Sequence, residues 1–157
     1  MNYVIEIMGP LLEGTGVTLQ VFIITFVLAV PLGLLLALLR VSRFVVVSAL
    51  VNGYIWLMRG TPLMLQMLFI YFALPFVPLI GIRLPDFTAA IVAFVLNYAA
   101  YFAEIFRAGI QSIDRGQYEG ARVLGLSYPQ TMRRIVLPQA FKRILPPLSH
   151  ETITLVK

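Results

Sequence analysis

Four polar side chains stand out within apolar stretches of this 157-residue sequence. Asn97, Tyr101 and Glu104 recur at i, i+4 and i+7, so they share one face of a helix, and Gln66 lies in an earlier apolar stretch. Polar groups are expensive in lipid and tend to face cavities or other helices. These residues could therefore line a polar pathway, or they could hydrogen-bond one helix to the next. The sequence leaves both interpretations open.

The second region that could do chemistry is a polar, basic stretch between Arg107 and Arg143. Within it stand Glu119-Gly120-Ala121, Gly125, Ile135 and Leu137-Pro138. Seven of the chain's twelve basic residues fall here: Arg107, Arg115, Arg122, Arg133, Arg134, Lys142 and Arg143. Apolar segments precede and follow it, so we expect a loop that a membrane protein presents to water, with the character of a docking surface.

The loop pattern predicts two short helices. Tyr118 to Leu126 suits the first, since Ala121, Val123 and Leu124 supply an apolar side and Glu119 pairs with Arg122 at i,i+3. The segment from Gln111 to Asp114 can cap it near Arg115, and Gly125 is a plausible C-terminal cap. A turn at Tyr128-Pro129 leads to the second helix, Gln130 to Val136, which Pro138 is expected to end.

The composition favours an integral membrane protein. Sixty per cent of the residues are hydrophobic and 12% are charged, about half the charge of a typical soluble domain. The net charge of +5 comes from residues that flank apolar segments, a pattern of membrane topology rather than nucleic-acid binding. The sequence has no cysteine and one histidine, His150. We therefore expect no metal site and no catalytic residues, because no nucleophile–base set or pair of carboxylates is present.

Three segments are predicted to cross a bilayer, at about 15–39, 62–82 and 87–106, and a partial fourth begins near 139. The uncharged runs have 26, 23 and 17 residues, against the roughly 20 that a spanning helix needs. Residues 44–58 are not counted, because only 15 residues separate the flanking arginines. The whole chain, 1–157, is interpreted as one transmembrane domain with a loop at about 107–138.

The basic residues predict the orientation. With these spans, Arg40, Arg43, Arg59 and the loop cations share one side, against Arg83 on the other. The positive-inside rule then places the N-terminus outside and the basic loop in the cytoplasm. Residues 1–16 contain no Lys or Arg, so they lack the basic start of a signal peptide and the first helix should be retained.

The loop resembles a known signature. The string Glu119-Gly120-Ala121, three residues, Gly125, nine residues, Ile135, one residue and Leu137-Pro138 is similar to the E-A-A-x3-G-x9-I-x-L-P pattern. That pattern belongs to the membrane subunits, or permeases, of binding-protein-dependent ABC importers. Every spacing matches, and Gly120 stands where the pattern prefers Ala.

Further motifs resemble the subfamily that imports polar amino acids. They are Arg59-Gly60-Thr61-Pro62 followed by Gln66 and Tyr71, the run from Tyr101 to Arg107 that contains Glu104, Gly116-Gln117, and Leu137-Pro138-Gln139-Ala140. The resemblance implies an all-α integral membrane fold, a type I importer permease-like helical bundle, in the bacterial inner membrane. Such proteins usually run 50–70 residues further, so the chain is expected to be truncated in or after the fourth transmembrane helix.

The resemblance also implies partners and a mechanism. They are a second permease subunit, identical or not, two ATPase subunits and an extracytoplasmic solute-binding protein, besides the lipid bilayer; nucleic acid is not expected. The loop from Glu119 to Pro138 would insert into a cleft of the ATPase and couple ATP-driven closure to transport. ATP and magnesium would bind the ATPase, because this chain has no G-x-x-x-x-G-K-[ST] phosphate loop and is expected to bind no cofactor.

For the substrate pathway, the candidate residues are Gln66, Asn97, Tyr101 and Glu104, because a carboxylate and amides could hold the ammonium and polar groups of an amino acid. The competing interpretation is that they connect helices, or that Glu104 pairs with Arg107 or Arg59. Two other functions remain open: a channel or scaffold whose basic loop meets anionic headgroups, and, with least support, a membrane enzyme. The sequence does not identify the amino acid.

Overall fold

The structure is a computed structural model that describes residues 2–42, 44–78 and 81–157. The helices are α1 (Asn2–Arg40), α2 (Val45–Gly60), α3 (Leu63–Leu68), α4 (Asp86–Gln111), α5 (Arg115–Val123), α6 (Tyr128–Thr131) and α7 (Leu137–Val156). The described ranges contain no strand, which confirms the all-α fold class. Arg43, counted above among the basic residues, and Leu79 and Ile80, within the predicted second span, lie outside the described residues.

Helix α4 is the centre of the bundle and packs against α1, α2, α3 and α7. Much of its packed surface is made of small residues, since five alanines are at most 2% exposed: Ala89, Ala93, Ala99, Ala100 and Ala103. Small side chains let helix backbones approach closely, which drives helix association in lipid. The apolar core accordingly follows α4 along most of its length.

Helix α1 approaches α4 closely at Gly33. A Cβ atom there would lie 2.6 Å from Cβ of Phe102, whose side chain is fully buried. The Phe26 ring meets the Phe102 ring edge-on at 6.1 Å between centroids. Glycine is therefore required at this position by lack of space, not by backbone conformation.

Two described helices are long and apolar enough to cross a membrane, α1 over Ile7–Arg40 and α4 over Asp86–Gln111. Helices α2 and α3 qualify only as a pair, Val45–Gly60 with Leu63–Phe76, bent by 107°. A bend of this size makes them a broken span or a re-entrant loop. By length and composition, the apolar segment 44–58 therefore qualifies as part of a span only together with the segment after it.

The predicted span at 62–82 is helical only over its first part. Helix α3 continues through a π-helical turn (Phe69–Ala73) and a 3-10 turn (Leu74–Phe76), and the chain then leaves helical geometry. The helix ends here because prolines lack a backbone N–H and glycine adopts positive φ angles: the segment contains Pro75, Pro78 and Gly81, whose φ is +56°. The length of the uncharged run could not reveal these helix breaks, because all three residues are uncharged.

The predicted ends of the other elements also move. Helix α4 continues from the predicted third span to Gln111, so the loop expected from Arg107 begins at Ser112. Arg107 bonds Glu104 and Gln111 within the last two turns of this helix, and these pairs stabilise the extension. Helix α7 starts at Leu137 rather than near 139.

The prediction that Pro138 ends the second loop helix is wrong. Helical backbone runs without a break from α6 through a π-helical turn (Met132–Val136) into α7, with Leu137 at φ −61° and ψ −43°. A proline ring clashes with the carbonyl four residues earlier, here that of Arg134, which lies in the wider π turn. The π turn therefore accommodates Pro138, and Pro146 and Pro147 also lie inside α7.

Candidate functional site

The loop segment 112–136 begins with a capped helix. The Asp114 carboxylate accepts a hydrogen bond from the Gly116 backbone N–H at 2.6 Å, the N-cap that the sequence predicted. Helix α5 starts at Arg115, as predicted from this cap, and so includes the three residues before the segment that begins at Tyr118. The start of α5 is thus set by local chemistry.

The end of α5 is a Schellman motif centred on Gly125. Gly125 has φ +72°, and its N–H bonds the Arg122 carbonyl at 2.9 Å, while the Leu126 N–H bonds the Ala121 carbonyl at 3.0 Å. Residues other than glycine adopt this left-handed conformation at a cost of about 1–2 kcal/mol. Gly125 is therefore a backbone requirement, whereas a Cβ on Gly120 would meet nothing within 4 Å.

One side of the loop segment is anchored to the bundle. Ile113, Ala121, Thr131 and Val136 are at most 5% exposed. Outside the core, the Gln139 amide donates to the Gln117 side chain at 2.9 Å, and Arg143 donates to the Ser112 carbonyl. These contacts connect the loop segment to the start of α7.

The other side of the segment presents apolar side chains to the outside. Val123, Leu124 and Tyr128 are 88%, 77% and 70% exposed. Three arginines of the same segment are also exposed: Arg122, Arg133 and Arg134. We call Val123, Leu124 and Tyr128 the loop tip. Ala121, Val123 and Leu124 therefore do not form the single apolar side that the sequence predicted, because Ala121 is buried and the other two are exposed.

The signature residues fall on both sides of this segment. Glu119, Gly120, Gly125, Leu137 and Pro138 are exposed, Ile135 is half-buried and Ala121 is buried. The expected pair between Glu119 and Arg122 is not formed: in the part of the chain that the structure describes, the ion pairs all converge on Glu104. The Glu119 carboxylate projects outward from the exposed side of α5.

Asn97 and Gln66 lie together at the bend between α2 and α3. The Asn97 amide donates to the Met58 carbonyl at 2.9 Å and to Oε1 of Gln66 at 3.0 Å. The Gln66 amide donates to the same Met58 carbonyl at 2.9 Å and to Oγ1 of Thr61 at 2.7 Å. Met58 lies in the last turn of α2, where carbonyls lack partners within the helix. The two amides therefore donate hydrogen bonds to a backbone carbonyl, that of Met58, which lacks a partner within the helix because the chain bends there.

Glu104 lies where three helices meet. Its carboxylate accepts hydrogen bonds from Arg40 at the end of α1 and from Arg107 of its own helix, and Nη1 of Arg59 is 3.8 Å away. The Arg59 guanidinium also lies over the Tyr101 ring, 5.3 Å from its centroid. Asn97, Tyr101 and Glu104 thus lie on one face of α4, as the spacing predicted, and residues of α1 and α2 contact this face.

The Arg59–Pro62 motif forms the turn between α2 and α3. Arg59 and Gly60 close α2, Thr61 is extended, and Pro62 precedes the first residue of α3. The hydroxyl of Thr61 donates to the Leu57 carbonyl at 2.8 Å. The sequence anticipated Arg59 and Arg107 as partners of Glu104 but missed Arg40, which is 64 residues away in the chain. The clustering of arginines at helix ends is the only signal that could have suggested it.

Comparisons with known proteins agree on one family. The sequence profile described as "Binding-protein-dependent transport system inner membrane component" matches residues 29–157. The arginine transport system permease protein ArtQ of Bacillus subtilis (strain 168) is 44% identical over 94% of this chain. The putative glutamine transport system permease protein GlnP of Rickettsia typhi (strain ATCC VR-144 / Wilmington) is 42% identical over the same share. The chain spans 66% of the length of each of these two relatives.

Solved structures show the same fold. A crystal structure of an amino acid ABC transporter with histidines matches 94% of this chain and 71% of its own, with a TM-score of 0.82 and 38% identity. An inward-facing structure of the MetNI methionine ABC transporter matches 92% of this chain and 67% of its own, with a TM-score of 0.61 and 22% identity. The second likeness supports the fold alone.

Proposed function

The chain belongs to the family of inner membrane components of binding-protein-dependent transport systems, and from that premise we propose that it forms the transmembrane part of an ATP-driven importer of a polar amino acid. The relatives' names supply the substrate class, since ArtQ is named for arginine transport and GlnP for glutamine transport. The assembly would contain a second permease subunit, two ATPase subunits and an extracytoplasmic binding protein. ATP and magnesium would bind the ATPase subunits.

The loop tip is the observation that carries this proposal. Val123, Leu124 and Tyr128 are exposed at one end of a segment whose other side is fixed by buried residues. Apolar groups in water on a rigid surface are a common mark of a protein-binding site, and a short amphipathic helix fits a groove of a partner. The exposed arginines of the segment, of which Arg122 directly precedes Val123, favour a groove with an acidic rim.

The proposal assigns the loop to the cytoplasm and the N-terminus to the outside. Arg40, Arg59 and Arg107 lie at the same ends of α1, α2 and α4 as the loop, whereas Arg83 precedes the opposite end of α4. This asymmetry is the one that the positive-inside rule associates with the cytoplasm. An ATPase would then meet the loop tip on the side where ATP is available.

The proposal gives the polar residues of the bundle a positioning role. Asn97 and Gln66 use their amides on the α2–α3 bend, and Glu104 is engaged by arginines. An amino acid would have to displace these contacts to bind there. Tyr101, half-buried beneath Arg59, belongs to the same packed face.

The test is copurification with the ATPase of an amino acid importer after coexpression in bacterial membranes. Leu124→Asp places a charge on the loop tip and should abolish ATPase capture, because the carboxylate would have to be desolvated in the groove. Ile82→Asp makes the same kind of change at a residue 54% exposed, near the opposite end of α4, and should leave capture unchanged.

Two results would count against the proposal. One is a wild-type chain that captures no ATPase but binds anionic vesicles through its loop, as expected of a scaffold that meets headgroups. The other is capture that survives Leu124→Asp at the wild-type level. If Leu124→Asp and Ile82→Asp lose ATPase capture equally, general misfolding is indicated, and the loop tip no longer supports the proposed function.

A further inference from the structure

A polar cavity of about 310 Å³ opens beside Glu104, where the ends of α1 and α2 approach α4. We call it the arginine cavity; its lining includes Arg40, Asn52, Trp56, Arg59 and Glu104. Its volume is at the lower end of the range for small-molecule sites. The family assignment gives this cavity no role.

The cavity carries an excess of positive charge. Arg40 and Arg59 line the cavity together with the carboxylate of Glu104, so two positive charges against one negative leave an excess of one. Arg40 and Arg107 hold the carboxylate by hydrogen bonds. The distance of 3.8 Å from Arg59 to Glu104 is longer than a hydrogen bond. The Arg59 side chain is also 41% exposed, so its donors are available to an anion.

The chemistry of the lining fits a phosphate. Guanidinium groups bind phosphate oxygens through pairs of parallel hydrogen bonds. Asn52 adds an exposed amide at the wall of the cavity. Arg59 is oriented by its position over the Tyr101 ring, which reduces the entropy lost on binding.

The surroundings point to a lipid as the source of that phosphate. Trp56, which lines the cavity, is 77% exposed, and Leu50 and Leu57 on the same helix are 71% and 50% exposed. Tryptophan is enriched at the membrane interface, and exposed leucines of a membrane helix can contact acyl chains. Basic pockets between helices on the cytoplasmic side bind anionic headgroups. We propose that the arginine cavity binds the phosphate of an anionic phospholipid headgroup.

Trp56 is the chain's single tryptophan, so its fluorescence reports on this cavity. The chain is reconstituted in vesicles of phosphatidylcholine and phosphatidylglycerol, in which one lipid or the other carries brominated acyl chains. Bromine quenches tryptophan only at close range. Brominated phosphatidylglycerol should quench Trp56 more strongly than brominated phosphatidylcholine at the same mole fraction, and the ratio gives the relative affinity.

Arg59→Gln should lower that ratio about fivefold, the effect of one basic residue near an anionic membrane surface. Arg59→Lys keeps the charge and should retain most of the preference, so a loss caused by misfolding can be recognised. Arg133→Gln is the matched control: it removes an equal charge from the exposed loop and should leave the ratio unchanged.

Equal quenching by the two lipids would overturn the proposal, as would an Arg59→Gln variant with the wild-type ratio. Loss of the preference in Arg133→Gln would overturn it too, because general attraction between the chain and the vesicle would then explain the result. Inorganic phosphate distinguishes the two sources of the anion. The preference should persist in millimolar phosphate, because acyl chains add to the affinity of the lipid; if phosphate removes it while sodium chloride of equal ionic strength does not, the cavity selects free phosphate over the lipid and the lipid assignment is overturned. Neither measurement requires the ATPase, so this inference can fail while the proposed transport function stands.

Discussion

The packing of α4 on α7 depends on the absence of a side chain at Gly109. A Cβ atom there would lie 2.2 Å from Cγ1 and 2.9 Å from Cδ1 of Ile144, which is 7% exposed. Gly109→Ala must therefore displace Ile144 or separate the two helices, and such overpacking costs about 1–3 kcal/mol. The substitution also gains up to about 1 kcal/mol of helix propensity, so we expect a net destabilisation of up to about 2 kcal/mol.

A matched control isolates the contribution of the contact. Gly53 lies within α2, and a Cβ atom added there would meet nothing within 4 Å, so Gly53→Ala should show the propensity gain alone. The free energy of unfolding in detergent micelles, followed by circular dichroism, should differ by about 1–3 kcal/mol between the two variants.

A second substitution tests the identity of the clashing atoms. Ile144→Ala removes both Cγ1 and Cδ1 and should by itself destabilise the protein by about 2–5 kcal/mol. In the double variant Gly109→Ala/Ile144→Ala the costs should not add, and the total should fall short of the sum by about 0.5–3 kcal/mol. If Gly109→Ala stabilises the protein as much as Gly53→Ala does, or if the costs add, the argument from close packing is refuted.

Three further substitutions test the loop and the polar clusters. Gly125→Ala should destabilise the end of α5 by about 1–2 kcal/mol because of its positive φ, and faster amide exchange in α5 would reveal it; unchanged exchange would contradict the Schellman assignment. Asn97→Ala should cost about 1–3 kcal/mol because it leaves the buried bend short of donors to Met58; a neutral effect on unfolding would show that the amide is dispensable. Glu104→Gln should destabilise the protein by less than the roughly 3–5 kcal/mol of a fully buried ion pair, because the side chains of Glu104 and Arg40 are each 22% exposed, and adding Arg40→Gln should recover part of the loss; no recovery would argue against their pairing.

Local chemistry made the loop helix predictable. The Asp114 cap and the left-handed Gly125 depend on contacts between residues at most five positions apart in the chain, and short-range rules describe such contacts well. The pattern of uncharged residues likewise located α1 and α4. Both predictions depend only on residues that are close together in the sequence.

The errors have a common physical origin in long-range packing. Pro138 breaks an isolated helix, but the π turn before it and the buried Val136 keep α6 and α7 continuous. The contacts of Asn97 and Glu104 depend on which groups the fold brings near them, Met58 in one case and Arg40 in the other. A backbone carbonyl has no signature in a sequence, so these contacts could not be predicted from it, and the assignment of both residues to the substrate pathway stays a prediction.

The unbroken backbone from Tyr128 to Val156 has a mechanical consequence. At 1.5 Å per residue, a helix of this length extends for at most about 40 Å, with the exposed Tyr128 at one end and the buried Leu155 near the other. A displacement of the loop tip would therefore reach α7 through helical backbone rather than through a flexible connection. The π turn at Met132–Val136 and the prolines inside α7 are the positions at which this helix would bend.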